Sequence, residues 1–432
     1  MIFIQEFIQK IQYQQCILIS YSGGLDSTVL LYQLIPFMYQ YPFLQLRAIH
    51  INHQINNKSE IWSQHCHKIC QKNNITLKIQ KVFFKNKKNF QNHARKVRYQ
   101  IIKKYMLKNE ILVTGHHLND QCETLFLSLK RGSGLPGLSG IASWKYLEKE
   151  KKIFRPLIKY KKIEIKKWAI LNHIPWIEDD SNFQNIYDRN FIRNKILTPI
   201  EKKWPIFLEN CYRSMKICYK QDKALNYFLD QILIKNKLLY HNIKVSIIES
   251  YIQEIQIILI KRWIFLNIKK NISYNKIKEI HHKLIKEHSK NPKYSIKINN
   301  YKIFRYKNII YQIFSYPDLK NTIIYWHNHN KSLKLPYHLG ELQKNQYGTT
   351  LPKPKKKDLV SIRFHTCKII SINNKYHKKI KNIWQENNIP PWNRNRIPII
   401  FYNEKIISII GIINFSNYYN DIWKISWTKK II

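Results

Sequence analysis

Acidic residues, glycines, paired cysteines and long apolar runs are all scarce in this chain of 432 residues. The seven cysteines are odd in number and scattered, and no two stand in C-x-x-C spacing, which argues against a disulfide scaffold and fits a reducing, cytoplasmic setting. His50, His53, His65, Cys66, His67 and Cys70 are close in sequence, but without paired cysteines they read as core and surface residues rather than a zinc site. No stretch approaches ~18 uninterrupted apolar residues, so no membrane span is expected. The opening "MIFIQEFIQKIQ" lacks a basic start, a long apolar run and a small-residue cleavage site, and reads as a first helix rather than a signal peptide.

Asp and Glu total 27 against 74 Lys and Arg, a formal net charge of +47. Such a field attracts polyanions and speeds their encounter, which points to nucleic acid. An AT-rich coding bias would explain the excess of Lys over Arg, but not the shortage of acids. A hydrophobic fraction of 44% is enough for ordinary cores, and the length suggests two or three domains.

Only ten glycines are present, yet two are adjacent in "ILISYSGGLDST", residues 17–28. An apolar strand ends, Ser22, Gly23, Gly24, Leu25, Asp26 and Ser27 follow, and apolar residues resume at helical spacing. A strand–glycine loop–helix junction gathers unpaired backbone N–H groups and the positive end of the helix dipole, which suits a phosphate. Walker A is excluded because no Gly-Lys-Ser/Thr follows, and an aspartate beside phosphates makes sense if Mg²⁺ bridges them. A plain turn with Asp26 or Ser27 as helix cap accounts for those two residues but not for the glycine pair. The second glycine cluster, Gly132 to Gly137, matches G-x-G-x-x-G but follows a helical run, "ETLFLSLKR", and contains Pro136. It reads as a loop after a helix, not a dinucleotide site.

Apolar runs at 16–21, 44–51, 75–83 and 110–115 alternate with helix-like stretches near 26–40, 58–74 and 90–108. That alternation predicts an α/β domain with a parallel sheet and helices on both faces, and ligands at the carboxyl ends of its strands. Long amphipathic helices are expected from about 204 to 288, then strands in "KYSIKINN" and "NIIYQIF". "GTTLPKPKKKDLV" (348–360) reads as a linker, followed by a strand, a helix near 374–387 and two strands around 398–413. The expected division is a catalytic domain over 1–203, a mainly helical domain over 204–345, and a small α+β domain over 346–432.

The stretch "TGHHLNDQCETLFLSLKRGSG" places His116, His117, Asn119, Asp120 and Glu123 at a strand end and helix start. Asp120 and Glu123 are three apart and share a helical face, where they can hold Mg²⁺ or an ammonium group, or simply favour the helix dipole.

Two resemblances sharpen this. "SGGLDS" resembles the pyrophosphate loop of the N-type ATP pyrophosphatases (the PP-loop fold), which implies ATP cleavage between the α and β phosphates. "HHLNDQCET…LKRGSG" resembles the signature of the tRNA(Ile)-lysidine synthase family, usually His-x-Asp-Asp-Gln-x-Glu-Thr. Further matches are "HINH" (50–53), "NHARKVRY" (92–99), "FRPL" (154–157), "WIEDDSN" (176–182), "RNFIRNKIL" (189–197) and "IPPWNRNRIPIIF" (389–401). Asn119 departs from the family by standing where its first aspartate usually is.

The resemblance implies ligation of free L-lysine to C2 of the wobble cytidine in a CAU-anticodon isoleucine tRNA, by way of an adenylated base. It implies ATP as co-substrate with Ser22 to Ser27 as its loop, and Mg²⁺ on Asp26 and Asp120. Asp26, Asp120, Glu123 and Arg95 carry the chemistry. His50, His53, His117, Arg98, Arg131, Arg189 and Arg193 bind lysine or tRNA, with Trp392, Arg394 and Arg396 in the C-terminal part. A homodimer stays open. The alternatives are a related tRNA 2-thiolation enzyme, against which the missing paired cysteines argue, and a non-catalytic basic RNA-binding protein that keeps the ATP fold.

Overall fold

The computed structural model describes residues 3–8, 11, 16–54, 58–83, 90–148, 150–178, 185–235, 242–287, 295–366, 369–372, 376–415 and 421–428. Two compact units divide at Tyr227 and Phe228.

The first unit runs α1 (Gln5–Ile8), β1 (Cys16–Ser20), α2 (Leu25–Gln40), β2 (Gln45–Asn52), α3 (Ser59–Lys72), β3 (Thr76–Lys81), α4 (Phe90–Tyr105), β4 (Ile111–Val113), α5 (Leu118–Lys130), α6 (Leu135–Leu138), β5 (Trp144–Tyr146), β6 (Lys152–Phe154), α7 (Lys162–Leu171), α8 (Asp188–Phe191), α9 (Thr198–Lys203) and α10 (Phe207–Lys235). One six-stranded sheet has the order β3-β2-β1-β4-β6-β5, parallel except for β5 at the edge. The central strands are apolar on both faces because helices cover both. Ile17 and Ile19 of β1 pack with Val29, Leu30 and Leu34 of α2, while Leu18 points the other way to Ile102 of α4 and Met106 just after it. The chain builds outward from β1 through β2 to β3, then returns to place β4 on the other side of β1. The loops after β1 and β4 therefore part company at a switch point, where a crevice opens at the strands' carboxyl ends.

The second unit begins within α10 and continues β7 (Asn242–Lys244), α11 (Val245–Glu249), α12 (Gln253–Ile268), α13 (Tyr274–His281), β8 (Ser295–Ile298), β9 (Tyr301–Tyr306), β10 (Ile309–Phe314), β11 (Ile323–Tyr325), β12 (Leu333–Lys334), β13 (Glu341–Pro352), β14 (Val360–Arg363), β15 (Ile369–Ile372), β16 (Tyr376–Lys379), α14 (Ile380–Glu386), α15 (Pro391–Arg394), β17 (Ile399–Tyr402), β18 (Lys405–Ile409), β19 (Ile413–Asn414) and β20 (Ile422–Thr428). Its sheets are antiparallel. Among the described residues no helix is long and apolar enough to cross a membrane.

Several local expectations change. Residues 348–352 belong to β13 rather than a linker, because Thr349 to Pro352 pair with β20 across a bulge. The helix expected at 374–387 is shorter, since Tyr376–Lys379 pair with β15 before α14 begins. Only Gln5–Ile8 of the N-terminal stretch is helical among the described residues. Leu135–Leu138 form one helical turn inside the second glycine cluster.

Leu18 is fully buried between sheet and α4. Leu18→Ala is expected to cost about 2–5 kcal/mol in urea denaturation of the first unit; a loss below about 1 kcal/mol would contradict the two-faced core.

Candidate active site in the strand-end cleft

The β1–α2 loop is stapled by its own side chains. Ser27 Oγ donates to the Gly24 carbonyl at 3.0 Å, lies 2.9 Å from Ser22 Oγ, and accepts from the Ser22 N–H at 3.2 Å. The first helical bond is Thr28 N–H to Gly24 O, so the N–H groups of Leu25, Asp26 and Ser27 have no helical acceptor, as at any helix start. Gly23 has φ of +81°, and a Cβ there would stand 2.9 Å from Cys66 Sγ. Only glycine satisfies both limits.

The β4–α5 loop presses directly on this one. A Cβ on Gly115 would lie 3.0 Å from the Asp26 carbonyl carbon and 3.1 Å from the Ser27 nitrogen. The contact brings Asp26 and Asp120 to one point: His117 Nε2 is 3.6 Å from a carboxylate oxygen of each. Asp120 also accepts the His117 backbone N–H at 3.0 Å, capping α5. Burial raises the Asp26 pKa, and the Asp120 charge adds to it against His117 and Lys162. Burial works the same way on Asp120, but His117 and Arg189, with that backbone N–H, hold it well below the usual carboxylate range. Asp26 Oδ1 is buried and has no hydrogen-bond partner among the described residues.

Around them opens a cleft of about 1040 Å³. Ser22, Gly24, Leu25, Asp26 and Ser27 line it, as do His50, His53, Arg95, Arg98, Asp120, Arg189 and Arg193. Among the described residues six cations and three carboxylates face it: Arg95, Arg98, Lys162, Lys166, Arg189 and Arg193 against Asp26, Asp120 and Glu178. Burial, then the nearby Arg95 and Arg189 charges, lowers the Arg98 pKa despite Tyr99, so this wall favours an anion in front of it. His50 Nδ1 lies 3.0 Å from the Tyr21 carbonyl, and burial lowers its pKa. Burial brings His53 to about 4, with Arg98 and His50 adding to it, and His116 to about 3 against the pull of Asp120.

Other expected residues fall elsewhere. Glu123 is fully buried behind the cleft, and its oxygens meet Arg193 Nε at 2.6 Å and Arg189 Nε at 3.2 Å. Burial and the Asp120 charge raise its pKa while both guanidiniums oppose them, and the short contacts are those of a carboxylate. Glu123 therefore acts on the cleft by aiming two arginines. Arg131 is exposed and donates to the Leu127 carbonyl. In the second unit Trp392 packs inside its own unit, stacked on Phe304 at 4.5 Å and near Tyr311 at 5.0 Å. Arg394 donates to Ile389 O, and Arg396 donates to Tyr337 O and lies over the Tyr316 ring. Of "WIEDDSN", residues 179–182 lie outside the described residues, while Trp176, Ile177 and Glu178 line the cleft.

Asn119 does not line the cleft. Its carbonyl accepts the Lys162 N–H at 2.9 Å and its amide donates to Glu201 Oε1 at 3.0 Å. An aspartate could accept from Lys162 but would face Glu201 as a like charge.

Sequence reasoning missed Lys162 and Lys166, four apart on α7, and Glu178. In a chain so rich in lysine, an i,i+4 lysine pair looks like any solvated helix face.

A parallel sheet with a glycine loop at its switch point, facing a carboxylate pair and a cationic wall, defines a PP-loop enzyme that uses ATP. The PP-loop domain family model matches residues 2–200, and the TilS substrate C-terminal domain model matches residues 360–427. The chain is 45% identical to the tRNA(Ile)-lysidine synthase of Buchnera aphidicola subsp. Schizaphis graminum, over 98% of this chain and 97% of that one. It is 43% identical to that of Buchnera aphidicola subsp. Acyrthosiphon pisum, over 99% and 97%, and 33% identical to that of Shigella flexneri, over 92% and 91%. The chain belongs to the tRNA(Ile)-lysidine synthase family.

Two outcomes follow from this geometry. Asn119→Asp is expected to lower the melting temperature, and adding Glu201→Gln to restore it; a single variant as stable as the parent would contradict the clasp. A histidine held neutral by burial binds its proton below the unfolded chain's ~6.5, so it removes stability as pH falls from ~6.5 toward its folded value. His116→Gln should therefore flatten the decline in stability between pH ~6.5 and ~4, read by thermal melts across that range; an unchanged slope would contradict a buried neutral His116.

Proposed function

We propose that this chain adenylates the wobble cytidine of CAU-anticodon isoleucine tRNA and then joins free L-lysine to its C2 carbon. The observation that carries the reading is the meeting of Asp26 and Asp120 at the mouth of a glycine loop, in a cleft whose wall is cationic. In the first step the cytidine O2 bonds to the α-phosphorus of ATP and pyrophosphate leaves. In the second, the lysine ε-amine bonds to C2 and AMP leaves with the bond electrons. The amine, ordinarily at pKa ~10.4, must lose a proton before it attacks.

Loop amides from Leu25 to Ser27 bind phosphate oxygens. Mg²⁺ fits the carboxylate pair: Asp26 Oδ1 is a buried acceptor without a donor, and the ion supplies charge neutralisation of the phosphates when bound. Asp26 and Asp120 are the side chains that would hold the ion. Arg95 and Arg98 face the reacting phosphate. Asp120 and Glu178 are the carboxylates open to a lysine ammonium or to its proton, with Glu123 holding Arg189 and Arg193 in place. A catalytic domain over 1–203 with tRNA-binding parts over 204–345 and 346–432 accords with the charge of +47, and the scattered cysteines accord with a reducing cytoplasmic setting.

Incubation with ATP, labelled lysine and the CAU isoleucine transcript is expected to label the RNA, with one AMP and one pyrophosphate per lysine. Pyrophosphate without label would favour a different adenylating enzyme, and neither product would favour a non-catalytic RNA binder. Asp26→Asn should reduce pyrophosphate release at least ~100-fold; full retained release would remove Asp26 from the phosphate site.

A further inference from the structure

The start of α7 is welded to the start of α5. The Leu118 N–H donates to the Tyr160 carbonyl at 2.8 Å, and the Lys162 N–H donates to Asn119 Oδ1 at 2.9 Å. Lys161 N–H donates to Glu164 Oε2 at 2.6 Å, closing the first turn of α7. Asn119 and Asp120 are neighbours, so the bond that fixes the Lys162 backbone is one residue from the carboxylate at the cleft's centre. The first residue of α7 is thereby set against the phosphate loop.

The two lysines side by side there have different fates. Lys161 turns away and pairs with Glu209 at 2.5 Å, and its ammonium donates to the Pro205 carbonyl. Lys162 is half-buried and lines the cleft with Ser22, Gly24 and Asp26, and among the described residues its ammonium has no ion-pair partner. Lys166, one helical turn further, lines the same cleft from an exposed position. By contrast Arg189 and Arg193 are already held by Glu123. A half-buried ammonium beside a phosphate loop, with no carboxylate paired to it among the described residues, is suited to an anion.

We propose that Lys162 binds the β and γ phosphates of the nucleotide, with Lys166 as an outer contact, and that the Asn119 clasp holds it there. The assignment rests on the ATP reading above. When the cytidine oxygen bonds to the α-phosphorus, the bond from that phosphorus to the α–β bridging oxygen breaks. Its electron pair leaves with pyrophosphate, and Lys162 stabilises the charge that develops on the leaving group. The asparagine at 119 is then a positioning residue: it loses nothing in the cleft, which it does not line, and it gains a donor for Glu201.

The test is pyrophosphate exchange into ATP by the full chain with the isoleucine tRNA, in the absence of lysine. Lys162→Met is expected to slow exchange about 100-fold and to raise the KM for pyrophosphate. Lys162→Arg should recover most of both, and Lys166→Met should change chiefly the KM for ATP. Parental exchange and parental pyrophosphate KM in Lys162→Met would overturn the assignment. So would a loss that Lys162→Arg does not recover and that leaves the pyrophosphate KM unmoved, because Lys162 would then be only structural. If the parent chain itself exchanges nothing, it is the ATP reading that fails, and the two failures are told apart in one experiment.

Discussion

The active site depends on one close approach, the backbone of Gly115 against the carbonyl of Asp26. Two loops that leave the sheet on opposite sides of the switch point are brought into contact there, so closely that a Cβ would stand 3.0 Å from the Asp26 carbonyl carbon. Without that contact Asp26 would sit on a phosphate loop and Asp120 on an unrelated helix cap. With it, both carboxylates stand 3.6 Å from the same imidazole nitrogen. Two like charges at the mouth of a loop with free N–H groups are costly alone.

The rest of the first unit manages charge around that centre. A chain with 74 basic residues must keep most of them from neutralising the few acids the chemistry needs. Glu123 takes two guanidiniums and turns them toward the cleft, Glu209 draws off Lys161, and Glu201 is answered by a neutral amide from Asn119. Among the described residues the cations facing the cleft outnumber its carboxylates by six to three.

Much of this was legible in the sequence. The strand–helix alternation gave the parallel sheet, since strands covered on both faces read as continuous apolar runs and their helices as periodic ones. The glycine pair marked the phosphate loop because scarcity made it conspicuous. What the sequence hid was pairing over distance. Nothing local says that Arg189 and Arg193 turn to Glu123, or that Trp392 stacks on Phe304 rather than facing outward. The asparagine at 119 stood out as a departure from the family signature; its two bonds, to Lys162 and Glu201, join α5 to the start of α7 and to α9. Residues 348–352 looked like a linker because Gly and Pro break patterns, whereas a bulged strand tolerates both at its edge.

The central claim is that Asp26 and Asp120 act as one unit on the nucleotide. The most direct measurement is a double-mutant cycle with Asp26→Asn and Asp120→Asn, reading the rate of pyrophosphate release at saturating Mg²⁺. Shared action predicts that the double variant is scarcely slower than either single one. Losses that multiply independently would contradict it.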